Sequence, residues 1–374
     1  MHAEVIVIGL GAAGSYAAWK LAEAGAGVIG LEADDLVHTR GAYSGESRLF
    51  RAAYHEGAEY VPLLLESREE WLRLQQAGRR RILHETGVLS IGSVDAPQMA
   101  RVRRSLKHAG VTHEVLSSDA LRRRYPQHSL ITDEIGVLDL MGGVLRPEAA
   151  VSEIQRRATL EGADLRGNQR VGGLTEERGH VRVDLEGGET LTAHRAIVSA
   201  GVHTPTLLPH LAPHLAIRPI GLTWFCPEAP EDFTPDRFPA FIRDLRDTHI
   251  FGAPALDGAL VKAGYDARFG TIGRPADLAA ELTREQRRGL AADVHRLLAG
   301  LPPHVARESM HMDIYTADKR PVLGPVSERV VVGTGYSGHG FKLTPAFGNA
   351  LAAFATGRKQ RHDLSPFSPR RFGS

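Results

Sequence analysis

Hydrophobic and polar positions fall into blocks of distinct period along this chain. Val5 to Ile8 are uniformly apolar, the pattern of a strand buried on both faces, and they run into Gly9-Leu10-Gly11-Ala12-Ala13-Gly14. The alanine- and leucine-rich stretch from Ala12 to Ala24 predicts a helix, and Gly25-Ala26-Gly27 ends it. Val28-Ile29-Gly30-Leu31 then predicts a second buried strand, closing on Glu32. Further on, Leu64, Leu65, Trp71, Leu72 and Leu74 among charged residues predict an amphipathic helix over residues 58–76. A strand is predicted around Gly87 to Ile91, a charged helix over 96–109, and a helix starting at Pro147 and running to Glu161. Residues 164–198 alternate as short strands with glycine turns, and Ala196 to Gly201 is a buried strand ending in small residues. Residues 216–265 are strand-rich, and 283–300 carry leucines at helical spacing. A last buried strand, Arg329 to Gly333, leads into a glycine-rich turn and a helix reaching about Thr356.

The first three elements form a βαβ unit, and its glycines have separate physical tasks. Gly9 makes the tight turn, Gly11 lets backbone approach a pyrophosphate, and Gly14 lets helix and strand pack closely. The amides of Ala12 and Ala13 then sit at a helix N-terminus, where phosphate is stabilised. Glu32 lies 18 residues after Gly14 (32 − 14), close to the spacing at which a carboxylate meets a ribose hydroxyl. This context predicts a Rossmann-like dinucleotide-binding domain. The expected fold is α/β, with that domain assembled from residues 1–80, 145–215 and 320–374, and an α+β substrate domain from 81–144 and 216–319.

Composition narrows the partners. Lysine plus arginine number 45 and aspartate plus glutamate 44, so a net charge of +1 gives no reason to expect nucleic acid or an anionic membrane. No run of about 18 uncharged apolar residues offers a bilayer span. Glycine is over-used, at 40 of 374 residues, as in chains that bring backbone close to a cofactor. The single cysteine, Cys226, fits a reducing compartment and is expected to pack as a small apolar side chain; a cytoplasmic monomer with no metal site is the expectation. The triplets Arg79-Arg80-Arg81 and Arg122-Arg123-Arg124 read as solvated helix ends.

Several blocks in order resemble the sarcosine oxidase and N-methyltryptophan oxidase family of flavoenzymes. They are the glycine fingerprint with Glu32, Gly45-Glu46-Ser47-Arg48-Leu49-Phe50-Arg51-Ala52-Ala53-Tyr54, Glu59-Tyr60-Val61-Pro62-Leu63 and Thr86-Gly87-Val88-Leu89. Val261-Lys262-Ala263-Gly264-Tyr265, Tyr315-Thr316, Gly335 to Lys342 and His362 to Phe367 complete the set. The resemblance implies FAD, a small amino acid or amine substrate, and O2 as oxidant. It places Arg51 and Lys342 on the substrate carboxylate, Arg48 beside the flavin ring and Lys262 where oxygen is activated. A fork-shaped guanidinium and a point-charge ammonium together can fix which C–H bond faces the acceptor. A fixed cation favours electron transfer to O2 because superoxide is anionic. The glycine-rich loop Gly338-His339-Gly340-Phe341 precedes a helix, whose dipole can stabilise negative charge on a reduced flavin. His339 could contact flavin or substrate, or simply pack in the loop, and the alternation around Lys262 leaves its face open. Ser44, Val171, Ala200 and Gly201 are further expected cofactor contacts.

The chain also departs from the family pattern. Asp313 stands where the resemblance expects the cysteine that tethers the flavin, so non-covalent FAD is expected. His311 shares a strand face with it and makes a histidyl link only a remote alternative. Ser44 and Asp266 replace expected histidines and Phe251 an expected tyrosine, which suits a larger or more basic amine than sarcosine; Asp266 could equally be a solvated turn residue. The function this implies is oxidation of a secondary amino acid to an imine, with H2O2 formed from O2. The alternative is a dehydrogenase of similar substrates that passes electrons to another acceptor.

Overall fold

The structure, a computed structural model, describes residues 2–52, 57–108, 110–131, 133–245, 248–265 and 269–373. Asp266, Ala53 and Tyr54 lie outside the described residues.

The apolar run at the N-terminus forms the strand His2–Ile8 at the centre of an eight-stranded sheet. It pairs in parallel with Val28–Leu31 on one side and Thr190–Val198 on the other, and Thr190–Val198 pairs in parallel with Val330–Thr334. Burial on both faces explains why residues 5–8, 28–31, 196–198 and 330–332 of these strands are continuously apolar rather than alternating. The helices Ala12–Glu23, Pro147–Leu160, Val61–Gly78 and Thr344–Thr356 share one core on one face, where Tyr16, Trp71, Ile154 and Phe347 are fully buried. This is the Rossmann-like layer expected from the sequence.

A second eight-stranded sheet runs Arg307–Thr316, Leu215–Phe225, Val261–Tyr265, His249–Ala253, Ala240–Asp244, Val88–Ser93, Glu134–Asp139, His113–Leu116. Helix Arg284–Leu297 closes its outer face by packing Leu290 and Val294 into a core with Phe225 and Phe241, and starts on a reciprocal cap between Thr283 and Gln286. A small three-stranded sheet of Arg48–Phe50, Gly143–Leu145 and Leu83–His84 takes strands from both sides of the expected boundaries at 80/81 and 144/145. Among the described residues no helix is long and apolar enough to cross a membrane. Cys226 departs from expectation: it follows the last residue of Leu215–Phe225, beyond the sheet's cover, and is exposed.

Candidate active site

A cavity of about 810 Å³ opens between the C-terminal edge of the first sheet and the inner face of the second. One end is the glycine turn. Gly9 has φ +90° and a Cβ there would stand 2.4 Å from the Ser199 carbonyl oxygen, so only glycine fits. A Cβ on Gly14 would lie 2.0 Å from the Gly9 oxygen, which makes Gly14 a packing glycine. It does not line the cavity, whereas Gly9, Gly11, Ala12 and Ala13 do. Beyond its own chain neighbours, no atom of the described residues lies within 4 Å of where a Gly11 Cβ would be, so the backbone there is bare toward the cavity. These amides at a helix N-terminus suit a pyrophosphate.

Glu32 sits on the wall beside them, its carboxylate accepting the amides of Leu10 (2.8 Å) and Ala33 (2.8 Å). Burial pushes its acidity toward the neutral form, but His38 at 3.6 Å and the backbone donors outweigh this and hold it below the usual carboxylate range. An ionised acceptor at this position can take a ribose hydroxyl. Val171, Ala200 and Gly201 line the same end, as do Asp34, His38 and Arg170, which motif reading missed because no fixed spacing marks them.

The other end is built around the loop 44–47. Gly45 (φ +114°) and Glu46 (φ +66°) are both left-handed, and opposite charges hold that unusual turn. The Glu148 carboxylate accepts the amides of Gly45 (2.6 Å) and Glu46 (3.1 Å). Arg48 donates to the carbonyls of Ser47 (2.8 Å), Ala42 (2.9 Å) and Ser44, and desolvation pushes its guanidinium down to about 10 despite Glu148 and Asp313 nearby. Lys262 is buried, and its ammonium donates to the carbonyls of Gly45 and Ser47, both at 2.9 Å. Burial, reinforced by Arg48, lowers its proton affinity well below the ordinary lysine range. Lys262 therefore takes the inner face of its strand, but behind the loop: Arg48 lines the cavity and Lys262 does not.

Ser44 also differs from expectation. Its side chain is fully buried and turned to the Thr39 and Gly41 carbonyls (2.7 and 2.8 Å) and to His311 Nδ1 (3.0 Å), away from the cavity lining. One hydroxyl proton serves those carbonyls, so His311 Nδ1 is the donor to Ser44, and its Nε2 accepts from Ser309 at 2.7 Å. Burial, with Arg48 and Lys262 adding to it, pushes His311 down to about 3, so its ring is neutral.

Arg51, Phe251 and Lys342 line the cavity with Gly338, His339, Gly340 and Phe341. Lys342 is buried and donates to the His339 carbonyl at 3.2 Å. Trp71 Nε1 donates to the Lys342 carbonyl at 3.1 Å, which fixes the backbone of the loop's last turn. Asp313 lines the cavity too. Its two oxygens accept from Ile314 N (2.7 Å) and Gly338 N (2.8 Å), tying the strand Arg307–Thr316 to the glycine loop. Burial pushes its carboxyl up, against those two donors. The second sheet supplies Ile220, Leu222, Ile242 and His249. These were missed because alternate residues on a strand share a face only once the register is known.

The cavity fits an extended dinucleotide: bare backbone at a helix N-terminus, a carboxylate beyond it, and cations and a glycine loop at the far end. The family model described as FAD dependent oxidoreductase matches residues 4–354. A monomeric sarcosine oxidase of Streptomyces avermitilis is 31% identical over 99% of this chain and 98% of its own. An N-methyl-L-tryptophan oxidase of Salmonella dublin is 30% identical over 100% of both. Among solved structures, NikD, an amino acid oxidase, matches with TM-score 0.88 at 24% identity over 98% of this chain and 97% of its own. An L-proline dehydrogenase from P. horikoshii matches with TM-score 0.86 at 19% identity, covering 99% and 98%. Fold, cavity and full-length relatives converge, and the chain belongs to the FAD dependent oxidoreductase family.

Proposed function

We propose that this protein oxidises a secondary, N-substituted amino acid at a CH–NH bond and passes the electrons to O2. The carrying observation is that Arg51 and Lys342 line the same cavity as the glycine cradle, so an acidic group held by two cations lies within the space that also holds the cofactor. Bound FAD, held non-covalently, supplies the two-electron acceptor. Arg51 and Lys342 orient the substrate through its carboxylate, and Phe251 with Ile242 and Leu222 gives its side chain an apolar wall. The substrate loses a hydride equivalent from the carbon next to nitrogen, and the amine nitrogen's lone pair closes the C=N bond. Water then hydrolyses the imine to an amine plus an aldehyde or oxo acid. O2 takes the two electrons with two protons and leaves as H2O2. Arg48, anchored on loop carbonyls, raises the local positive potential, and Lys262, anchored on the same loop, adds to it in its protonated form.

The test is anaerobic mixing of the yellow holoprotein with a panel of N-methyl and cyclic amino acids. Bleaching by at least one, with activity rising with pH as the bound amine loses its proton, is the expected result. A flavin that stays oxidised across the panel overturns the reading. A second reading, a dehydrogenase using another acceptor, draws on the position of Lys262 behind the loop rather than on the cavity wall. Turnover with an artificial acceptor but not with O2 would favour it.

A further inference from the structure

On the inner face of the second sheet, neighbouring strands Ala240–Asp244 and His249–Ala253 place Asp244 directly opposite His249 and Ile242 opposite Phe251. His249 lines the cavity, two residues along its strand from Phe251 and therefore on the same face, roughly 6.6 Å further from it. Its Nδ1 is hydrogen-bonded to the Asp244 carboxylate. The carboxylate only accepts, so Nδ1 carries the proton and Nε2 is the ring atom left for a ligand; among the described residues it has no protein partner. Among the described residues the lining from this sheet and the turn beside it is mostly apolar, with Ile220, Leu222, Ile242, Phe251, Pro275 and Ala276, while the Tyr265 hydroxyl donates to Asp293. A polar group with a fixed orientation on a mostly apolar wall is a device for reading one feature of a bound side chain.

We propose that the His249–Asp244 pair is a specificity-determining element that reads a hydroxyl at the far end of a bulky, aromatic substrate side chain. This deepens the reading given above and rests on it for the orientation of the substrate, carboxylate toward Arg51 and Lys342. A phenolic hydroxyl fits because it both donates and accepts. It therefore pairs with Nε2 whether the imidazole is neutral and accepting or protonated and donating, whereas a group that only accepts or only donates pairs in one state alone. Asp244 is a positioning residue: it reaches the ligand only through the ring it orients.

The experiment uses two carboxylic acids that carry no amine and cannot be oxidised, 3-(4-hydroxyphenyl)propionate and 3-phenylpropionate. Each is titrated into the FAD-loaded protein while the visible flavin spectrum is followed, which reads affinity independently of turnover. In the native protein the hydroxylated acid is expected to bind about tenfold more tightly, the scale of one neutral hydrogen bond. In His249→Phe that preference is expected to vanish, with the unsubstituted acid binding at least as well as before. Asp244→Asn is expected to lose part of the preference, and His249→Gln, which keeps a side-chain donor and acceptor, to restore part. Equal affinity for the two acids in the native protein, or an unchanged preference in His249→Phe, overturns the inference. Neither acid perturbing the spectrum overturns it as well, together with the carboxylate clamp. If the preference is present but no amino acid bleaches the flavin, the side-chain reader stands and the oxidase reading falls.

Discussion

At the level of single residues, charge decides what the candidate site can do. Lys262 illustrates how far sequence reaches: the resemblance points to the residue, but the alternation around it cannot say which way it faces. The structure turns it inward, onto two carbonyls of a left-handed loop. Its ammonium then has one N–H beyond those two bonds. Lys262→Met is expected to slow reoxidation of reduced flavin by O2 by about 100-fold, the scale of losing one fixed electrostatic contact, while anaerobic reduction by substrate changes much less. Stopped-flow measurement of the two half-reactions separates them, and equal losses in both would mean that Lys262 only shapes the loop. His311 gives a second residue-scale expectation. It is held at about 3 in the fold, against about 6.5 when exposed, so between those pH values the unfolded chain binds a proton that the folded one does not. The folded state therefore loses stability as pH falls from 6.5 toward 3. His311→Gln removes that contribution, so its stability relative to the native protein is expected to improve steadily over this window in denaturant titrations. A gap that stays constant with pH would show that the imidazole is not held neutral.

Among the elements, the opening βαβ unit was legible because every constraint in it is local. An apolar strand, three glycines with separate duties and a carboxylate 18 residues on can each be read from adjacent positions, and the structure forms the strand, the helix and the second strand where they were read. The duties of two glycines can be told apart by experiment. Gly14→Ala puts a Cβ 2.0 Å from the Gly9 oxygen, so strand and helix must part, and a large loss of apoprotein stability, several kcal/mol, is expected. Gly11→Ala meets no atom of the described residues within 4 Å beyond its chain neighbours, so the apoprotein is expected to melt as before while its affinity for FAD falls by roughly tenfold or more, because the methyl group occupies the pyrophosphate's approach. Comparing apoprotein melting with FAD titration for the two variants decides it; similar behaviour would remove the distinction. The second sheet was far less legible. Its strands pair across long sequence separations, as where Ala240–Asp244 joins Val88–Ser93 in parallel, and no local pattern encodes that register. His249, Ile242, Ile220 and Leu222 reach the cavity through those pairings alone. Glu148 was hidden for the same reason: it opens a helix about a hundred residues from the loop whose amides it caps.

For the molecule as a whole, the cavity lies between two sheets that share a chain crossing repeatedly from one to the other. A dinucleotide spanning it would touch the glycine turn of one layer and the Asp313–Gly338 junction of the other, so binding and folding are coupled. The attachment chemistry sets how that coupling is felt. Asp313 offers no sulfur, and both of its oxygens already accept backbone amides. His311, the nearest imidazole on the same strand face, has both nitrogens engaged by Ser44 and Ser309. A cofactor that is free to leave stabilises the folded state by mass action, by about 2.7 kcal/mol when its concentration is a hundred times its dissociation constant. Adding FAD to the apoprotein is therefore expected to raise the melting temperature by several degrees in a concentration-dependent way. Acid precipitation of the same preparation is expected to leave the yellow colour in the supernatant. Colour that stays in the pellet, with a melting point indifferent to added FAD, would mean a covalent bond has formed despite the amides that occupy the Asp313 carboxylate.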